Sequence, residues 1–251
     1  MKTLFDANDI VVETRSGQTV VSGASFAVEK KELHVLMGPN GSGKSSLVLA
    51  LMGHPNYRIT SGKMLLSGKD LTNVPPELRG KKGMFLSPQN PPVLSGVSVA
   101  SLVHRARMSR FGKRELSALD RYRSLRQATL DAELPVELLD RSVNDGFSGG
   151  EKKMGEIIQM IGLTPKIAFL DEIDAGLDVD AIARVSKVIT AMRKKGMAVV
   201  LITHTPSLLK HITPNKVHVM KDGYIVATGG KELAERVLEE GFENIGGTDA
   251  E

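Results

Sequence analysis

The sequence predicts an α/β protein with a mainly parallel core sheet, an N-terminal antiparallel β layer and an inserted helical subdomain. Short apolar runs at residues 33–37, 167–170 and 198–203 are typical of strands buried on both faces of a parallel sheet. The N-terminal segment instead consists of short β-type runs separated by turn residues. From Val99 to about Leu139 the apolar residues have helical spacing, with no strand signal.

A glycine-rich segment follows the first apolar run. Residues 38–46 read Gly-Pro-Asn-Gly-Ser-Gly-Lys-Ser-Ser, and a helical pattern continues to Met52, which is the strand, loop and helix context of the phosphate-binding motif G-x-x-x-x-G-K-S/T. The glycines let successive N–H groups point into one concavity, and the helix adds about half a positive charge at its N-terminus. We therefore predict a nucleotide-binding site formed by Gly38, Pro39, Asn40, Gly41, Ser42, Gly43, Lys44, Ser45 and Ser46.

Two side chains of this motif have distinct predicted roles. Lys44 would contact the β- and γ-phosphates as a point charge. The hydroxyl of Ser45 would be a ligand of Mg²⁺, which prefers oxygen donors.

Composition excludes several kinds of site. The chain has 251 residues, 41% of them hydrophobic and 25% charged, which is typical of a globular protein. It has no cysteine, which excludes disulfides, thiolate metal sites and cysteine nucleophiles. The net charge of +4 gives little support to nucleic-acid binding. No apolar run approaches the roughly 18 residues of a spanning helix, and the start of the chain has no signal-peptide pattern, so we expect a cytoplasmic protein without membrane insertion.

The predicted β layer surrounds the phosphate loop. Turn chemistry at Ser16-Gly17 and at residues 67–70, and a break at Pro75-Pro76, separate its strands. The predicted strands are residues 10–13, 19–21, 24–28, 63–66 and 82–86.

Gln89 lies in a proline-rich segment, residues 87–92, that we predict to be a stiff irregular connection. In the helical segment beyond it, residues 105–126 carry eight basic side chains against Glu115 and Asp120. These form either a solvated helical surface or a binding face for nucleic acid or an acidic partner. Only Phe111 and Tyr122 could stack on bases there, too few for a stacking platform.

A second helix N-terminus able to accept an anion is predicted at Ser148. Ser148 and Glu151 have the spacing of a capping box before an amphipathic helix. Capping alone does not require the two glycines between them, Gly149 and Gly150. The sequence therefore indicates a function for this loop beyond capping the start of the helix.

Two carboxylates follow the apolar run at residues 167–170. Ligands gather at the carboxyl edge of open parallel sheets, and Asp171 and Glu172 would lie there. We predict that Asp171 holds Mg²⁺ and that Glu172 poises the attacking water. His204 ends the run at residues 198–203 on the same edge, where it would contact the γ-phosphate or have a structural role.

The remaining elements complete the α/β pattern. A helix is predicted at residues 179–195, ended by Gly196. A hairpin is predicted at residues 216–227 with Asp222-Gly223 as its turn, followed by a helix at about residues 231–240. We expect the tail, residues 246–251, to be disordered.

The order of the phosphate loop, Gln89, Ser148-Gly149-Gly150, Asp171-Glu172, Asp178 and His204 resembles the nucleotide-binding domain of ABC ATPases over nearly the whole chain. This resemblance implies a Mg²⁺-dependent ATPase with ATP as its nucleotide. It implies catalytic roles for Lys44, Gln89, Glu172 and His204, a metal-ligand role for Gln89 beside Ser45 and Asp171, and a nucleotide contact for Asp178. It also implies that Ser148, Gly149 and Gly150 contact ATP held by a second copy.

Within that superfamily three stretches resemble SufC, the ATPase family of the SUF iron–sulfur cluster assembly machinery. They are residues 89–92 with 96–98, residues 141–144 with 146–153, and residues 171–180. The resemblance implies SufB- and SufD-like partners in place of membrane permease subunits. The chain differs from related ATPases in having no aromatic residue at positions 11–21 to stack on adenine, Met154 where SufC proteins often have Arg, and Ser46 in place of Thr.

We expect one ABC ATPase domain over residues 1–251. Residues 1–90 and 163–251 would form the catalytic core with its β layer, and residues from about 91 to 162 the helical subdomain. Three alternatives remain: a transporter ATPase subunit, a chromosome-maintenance or DNA-repair ATPase, and a non-catalytic scaffold. The second requires coiled coils or zinc modules, whereas about 100 residues separate Lys44 from Ser148 and no cysteine is present.

Overall fold

The structure is a computed structural model that describes residues 3–203, 206–243 and 245. Its described residues form twelve strands and eight α-helices. The strands are β1 (Thr3–Thr14), β2 (Thr19–Glu29), β3 (Leu33–Met37), β4 (Tyr57–Leu66), β5 (Lys69–Asp70), β6 (Met84–Ser87), β7 (Leu94–Ser98), β8 (Ser142–Val143), β9 (Ile167–Asp171), β10 (Ala198–Ile202), β11 (Lys216–Lys221) and β12 (Tyr224–Gly229). The helices are α1 (Lys44–Met52), α2 (Pro76–Lys82), α3 (Val99–Phe111), α4 (Ala118–Asp131), α5 (Gly149–Leu163), α6 (Val179–Lys194), α7 (Pro206–Leu209) and α8 (Lys231–Glu240).

The core is a six-stranded sheet in the order β12-β11-β3-β10-β9-β6. Only the β11–β12 pair is antiparallel. Every residue of β3, β9 and β10 is buried, in agreement with their continuous apolar sequences. This confirms the predicted mainly parallel sheet, whose carboxyl edge carries the phosphate loop after β3 and Asp171 at the end of β9.

The predicted antiparallel layer is a separate sheet in the order β2-β1-β4-β5. The β2 strand is continuous, although the sequence predicts two strands there. The pairing of β1 with β2 shifts register on both sides of the Ile10–Ala24 pair, so bulges accommodate Gly23 without ending the strand.

The segment around the tandem prolines differs from the prediction. Helix α2 begins at Pro76 with Pro75 as its N-cap, because the fixed φ angle of proline suits the first helical position. Lys82, predicted in a strand, is the last residue of that helix. Gly83 then adopts a φ of 107° before β6 begins. The strand that follows, β6, pairs in parallel with β9 and belongs to the core sheet, so its predicted place in the antiparallel layer was wrong.

The segment after Gln89 also contains a strand that the sequence did not predict. Strand β7 pairs with β8 across 44 or more positions, with Leu94 opposite Val143 and Ser98 opposite Ser142. This pairing joins the segment that follows Gln89 to the segment that precedes Ser148.

Several basic residues of the helical segment have internal partners. Glu115, whose side chain is 1% exposed, accepts hydrogen bonds from Arg107 at 2.9 Å and from Arg121 at 2.6 Å. Arg110 donates to the carbonyl of Leu163 at 3.2 Å. Arg105 and the other exposed basic side chains face solvent, so the basic segment is partly structural and partly solvated.

Two apolar clusters pack on the sheets. One joins Val35 of the core sheet to Val103 of α3 and Leu125 of α4, and the other joins Phe5 of the β layer to Leu47 of α1. The helical segment therefore shares a core with the main sheet, and the predicted division at about residues 91 and 162 stays a prediction. Among the described residues, no helix combines the length and apolar character that crossing a membrane requires.

Candidate active site

The phosphate loop lies between β3 and α1, pressed against the turn of the β11–β12 hairpin. Gly38 has a φ of 152°, and a Cβ there would lie 2.1 Å from the backbone oxygen of Met220. Gly43 has a φ of 100°, and its Cβ would lie 2.5 Å from the oxygen of Val20. Glycine is required at both positions, because no larger residue fits so close to a neighbouring backbone.

Lys44 is buried at the first position of α1, with 8% of its surface exposed. Its ammonium donates to the carbonyls of Gly38 and Pro39, both at 2.8 Å, and to the hydroxyl of Ser42 at 3.2 Å. Burial lowers the pKa of Lys44, while Asp171 and Glu172 act in the opposite direction. The loop therefore curls around one positive charge, directly in front of two carboxylates.

Asp171 supplies a buried carboxylate at the end of β9, with 4% of its surface exposed. Burial raises its pKa, and a hydrogen bond with Ser45 lowers it. Its Oδ1 atom is buried and has no hydrogen-bond partner among the described residues. A hydroxyl beside an unsatisfied carboxylate oxygen is a donor set that suits Mg²⁺.

The described residues contain no group of three or more His, Asp or Glu side chains placed to hold a metal ion. Mg²⁺ is usually bound by one or two carboxylates together with phosphates of the substrate. The sparse donor set around Ser45 and Asp171 thus fits Mg²⁺ bound with a nucleotide, not a cage formed by protein alone.

Glu172 and Gln89 meet at the same edge of the sheet. Gln89 donates from Nε2 to Oε2 of Glu172 at 2.6 Å. Glu172 has a φ of 49°, and its N–H donates to the carbonyl of Ile202 at 2.9 Å. A non-glycine residue in this left-handed conformation is uncommon and is held here by tertiary contacts.

Lys153 of α5 is a site residue that the sequence did not predict. It is 6% exposed, and its ammonium donates to the backbone carbonyl of Gln89 at 3.2 Å. Burial lowers its pKa, while Asp171, Glu156 and Glu172 oppose that shift. The capping pattern ends at Glu151, and no spacing in the sequence connects Lys153 with Gln89.

The position of His204 lies outside the described residues. The preceding residue, Thr203, is buried and bonds to Asp174, its hydroxyl lying 3.0 Å from Oδ2 of that carboxylate. This contact joins the end of β10 to the loop that follows Glu172.

The Ser148 loop is built as the sequence predicts. The hydroxyl of Ser148 accepts from the N–H of Glu151 at 3.2 Å, and the N–H of Ser148 donates to Oε2 of Glu151 at 2.7 Å. Arg141 donates to Glu151 at 2.5 Å and its guanidinium lies 4.3 Å above the ring of Phe147. The capping box is confirmed, and Arg141 pins it to the preceding loop.

Neither glycine of this loop is required by packing within the chain. A Cβ at Gly149 would meet nothing within 4 Å, and one at Gly150 would meet only Leu177, at 3.7 Å. Asp178 follows Leu177 and caps α6, accepting from the N–H of Ala181 at 2.7 Å. The backbone at Gly149 is therefore open to approach from outside the chain.

The predicted site residues thus fall into two groups. Lys44, Ser45, Gln89, Asp171 and Glu172 surround the phosphate loop and the end of β9. The second group lies where α5 and α6 begin and contains Ser148, Gly149, Gly150 and Asp178. Gly150 and Asp178 line a recess of about 410 Å³ there.

Comparison with known proteins identifies the family. The family model described as "ABC transporter" matches residues 21–175. Vegetative protein 296 of Bacillus subtilis is 42% identical over 238 residues, which cover 94% of this chain and 91% of that protein. A probable ATP-dependent transporter of Synechocystis sp. is 41% identical over 231 residues, which cover 90% of each.

The chain belongs to the ABC transporter ATPase family. It is an ATP-hydrolysing enzyme that binds ATP with Mg²⁺. A solved ATP-binding cassette of an ABC transporter in its ADP conformation shares the fold of this ABC ATPase, with a TM-score of 0.76, 24% identity and 96% of each chain covered. A dimeric cassette bound to ADP and Pi in a post-hydrolysis state has a TM-score of 0.77 at 16% identity, covering 91% of this chain and 99% of that one.

Proposed function

We propose that this ABC ATPase drives a SUF-type iron–sulfur cluster assembly complex by ATP-dependent, head-to-tail dimerisation. Its partners would be SufB- and SufD-like scaffold proteins in the cytoplasm. Three features support the proposal: the division of the site residues into two groups, the chemistry of the first group, and the contacts among the SufC-like stretches.

The division into two groups supports a site shared between two copies. The phosphate loop presents one helix N-terminus to an anion, and α5 presents another at Ser148. The Gly149 backbone is unobstructed, so a phosphate held by a second copy could approach it. In head-to-tail pairing, each copy completes the nucleotide site of the other. A two-fold axis between the copies makes the two shared sites identical.

The first group provides binding and the positioning of water. Lys44 would contact the β- and γ-phosphates, while Ser45, Asp171 and Gln89 would hold Mg²⁺. The ion supplies charge neutralisation on the phosphates when bound. Glu172 would orient and accept a proton from the attacking water, and His204 would contact the γ-phosphate.

The observation that carries the SUF assignment is the convergence of the SufC-like stretches. Asn144 donates from Nδ2 to the carbonyl of Pro92 at 2.8 Å, and the N–H of Gly96 donates to the hydroxyl of Ser142 at 3.1 Å. Lys153, from the second stretch, reaches Gln89 in the first. Gln89 in turn bonds to Glu172 in the third stretch. The residues that resemble SufC thus form one connected structure beside the catalytic carboxylate.

This connection suggests how turnover would be linked to partners. A partner that moves the segment after Gln89 would move Asn144 and the Ser148 loop through the β7–β8 pair. Hydrolysis would separate the two copies, and the same contacts would transmit that movement from the nucleotide site to the attached scaffold proteins.

The test is purification of the tagged chain from native cells, with identification of its associated subunits and analysis of iron and sulfide. We expect SufB- and SufD-like proteins, with iron and sulfide present only in the assembled complex. The isolated chain has no cysteine to hold a cluster. Stoichiometric iron–sulfur absorbance from the isolated chain would contradict the proposed division of labour.

A transporter ATPase subunit is the second candidate. The relatives' own names favour it, since one is called a probable ABC transporter ATP-binding protein, from Streptococcus pyogenes, at 38% identity over 244 residues that cover 97% of this chain and 95% of that protein. The same purification discriminates the two functions. Recovery of a membrane permease without scaffold proteins would establish the transporter function.

A further inference from the structure

A cluster of basic side chains lies on the edge of the core sheet opposite the nucleotide site. Four members come from connections that precede parallel strands or from the helix end that leads into β6, while Arg110 lies in the last turn of α3 and Lys69 in β5. We call this cluster the basic edge, and its members are Lys30, Lys69, Lys82, Arg110, Lys166 and Lys195.

The members of the basic edge act on one another electrostatically. Burial lowers the pKa of Lys166, and Arg110, Lys69, Lys30 and Lys82 lower it further by repulsion. A Cβ on Gly83 would lie 2.9 Å from the guanidinium of Arg110 and 3.0 Å from the side chain of Lys166, so these two cations flank the same backbone. Five positive charges are therefore within electrostatic range at one place.

In the part of the chain that the structure describes, no member of the basic edge forms an ion pair. Two acidic side chains nearby in sequence have other partners. Glu32 accepts from the N–H of Glu29 at 2.7 Å, and Asp70 accepts from the N–H of Thr72 at 2.8 Å.

Helix ends explain only part of the cluster. Lys82 and Arg110 lie in the last turns of α2 and α3 and Lys195 is the C-cap of α6, where a cation stabilises the helix dipole. Lys30 follows β2, Lys69 begins β5 and Lys166 precedes β9, so the dipole argument does not cover these three.

A recess of about 350 Å³ lies beside Lys166, with Lys30 and Lys195 also in its lining. Its lining also includes the buried apolar side chains of Leu4 and Met197, which are 4% and 3% exposed. This volume is at the lower end of the range of ligand pockets, and its apolar floor suits one hydrophobic side chain.

We propose that the basic edge docks an acidic segment of a partner polypeptide, with one apolar side chain of that segment in the recess. The positive charges of the basic edge would attract the acidic side chains of the segment. The apolar residues at the bottom of the recess would bury the segment's apolar side chain. A nucleic acid is a poorer match, because the recess lining contains no aromatic side chain for base stacking. An anionic membrane is also a poorer match, because the apolar residues are at the floor and cannot enter the lipid.

Docking on this edge would leave the nucleotide site accessible. The phosphate loop and Asp171 follow the carboxyl ends of the strands, whereas the basic edge lies at the amino ends. Affinity for the acidic segment is therefore expected to be the same with and without ATP.

The test uses fluorescence anisotropy with a short labelled peptide of aspartate and glutamate around one central leucine. The variant K30Q/K166Q/K195Q removes three charges around the recess. The control R123Q/R126Q/K210Q removes three charges from exposed positions elsewhere. We expect the first variant to weaken peptide binding by about tenfold or more at low salt, the control to change it little, and both to retain ATP turnover.

Two further arms complete the design. Replacing the peptide's leucine by serine should weaken binding by about tenfold, because the apolar contact is lost. Equal affinities for the two triple variants would overturn the docking site, and an unchanged affinity of the serine peptide would overturn the role of the recess. Duplex DNA and phosphatidylserine vesicles are tested in the same way. If either binds more strongly than the peptide, and K30Q/K166Q/K195Q abolishes that binding, the assignment to a polypeptide would be overturned.

Discussion

Gln89 donates a hydrogen bond to Glu172 at 2.6 Å, across a separation of 83 residues. Gln89 is itself held through its backbone carbonyl by Lys153 of α5. The carboxylate proposed to orient water is thus connected to the helix that begins at Ser148. Its position depends on the helical subdomain as well as on the sheet.

The first prediction concerns Glu172. The variant Glu172→Gln should lower turnover by about 10²- to 10⁴-fold, because the amide cannot accept a proton from the attacking water. ATP binding should persist, since Lys44 and Ser45 are unchanged. Phosphate release and equilibrium nucleotide binding measure the two properties. Glu239→Gln, at an exposed position in α8, is the matched control, and turnover of Glu172→Gln at the wild-type rate would remove Glu172 from its assigned role.

The second prediction separates the two groups of site residues. Ser148→Asp keeps a side-chain acceptor for the N-cap of α5 but places a negative charge where a partner's phosphate would approach. We expect turnover to be lost while the isolated chain binds ATP normally. Ser148→Thr keeps the hydroxyl and should remain active. Loss of ATP affinity in the isolated Ser148→Asp chain would show that this loop serves the site of its own copy.

The third prediction concerns the buried carboxyl group of Glu156. Burial raises its pKa from 4.5 to about 7, although Gln159 at 3.1 Å, Lys153 and Asn144 favour the charged form. The folded state therefore holds a proton that the unfolded state releases between about pH 4.5 and 7, and stability falls as pH rises through that window.

Glu156→Gln removes this ionisation and can still accept a hydrogen bond from Gln159. Relative to wild type, it should be more stable at pH 8, by on the order of 3 kcal/mol, with no such gain at pH 4. Urea unfolding at both pH values measures the difference, with the exposed Glu137→Gln as control. An equal effect of Glu156→Gln at both pH values would contradict the raised pKa.

The fourth prediction concerns a buried histidine pair between β3 and β11. Nδ1 of His34 lies 3.0 Å from Nε2 of His218, whose Nδ1 lies 2.9 Å from the hydroxyl of Thr228. Nε2 of His34 bonds to Glu32 at 3.1 Å. One set of neutral tautomers satisfies every contact: His34 donates to Glu32, His218 donates to His34, and Thr228 donates to His218.

Burial, with repulsion from His34 and Lys216, lowers the pKa of His218 from 6.5 to about 3. Because the unfolded state binds the proton first, this residue makes stability fall as pH drops below about 6.5, by roughly 1.4 kcal/mol per unit, until about pH 3. His218→Gln keeps a donor toward His34 and removes this dependence. As pH drops below about 6.5, the unfolding free energy of the wild type should therefore fall relative to that of the variant. A difference that stays constant from pH 4 to 8 would contradict the lowered pKa of His218.

Much of the sheet and of the first group of site residues could be predicted from the sequence. Buried parallel strands have continuous apolar sequences, and their carboxyl ends share one edge, which places Asp171 near Lys44. The capping box at Ser148 is equally local, since its two partners are three positions apart.

The contacts that sequence reasoning missed are long-range or depend on side-chain geometry. The bond between Gln89 and Glu172 depends on a left-handed backbone at Glu172, which no residue type indicated. The β7–β8 pair joins a strand of only two residues, β8, to one that lies more than 40 positions earlier in the chain. Lys153 has a predictable place on a helix, but its burial against Gln89 depends on how that helix packs.

The most direct test of the shared nucleotide site is ATP turnover per chain as a function of chain concentration at saturating Mg²⁺ and ATP, with sedimentation measured in parallel. If each copy completes the other's site, turnover per chain should rise with concentration and reach a plateau as the dimer forms. Constant turnover per chain, down to concentrations at which sedimentation shows only monomers, would contradict the shared site.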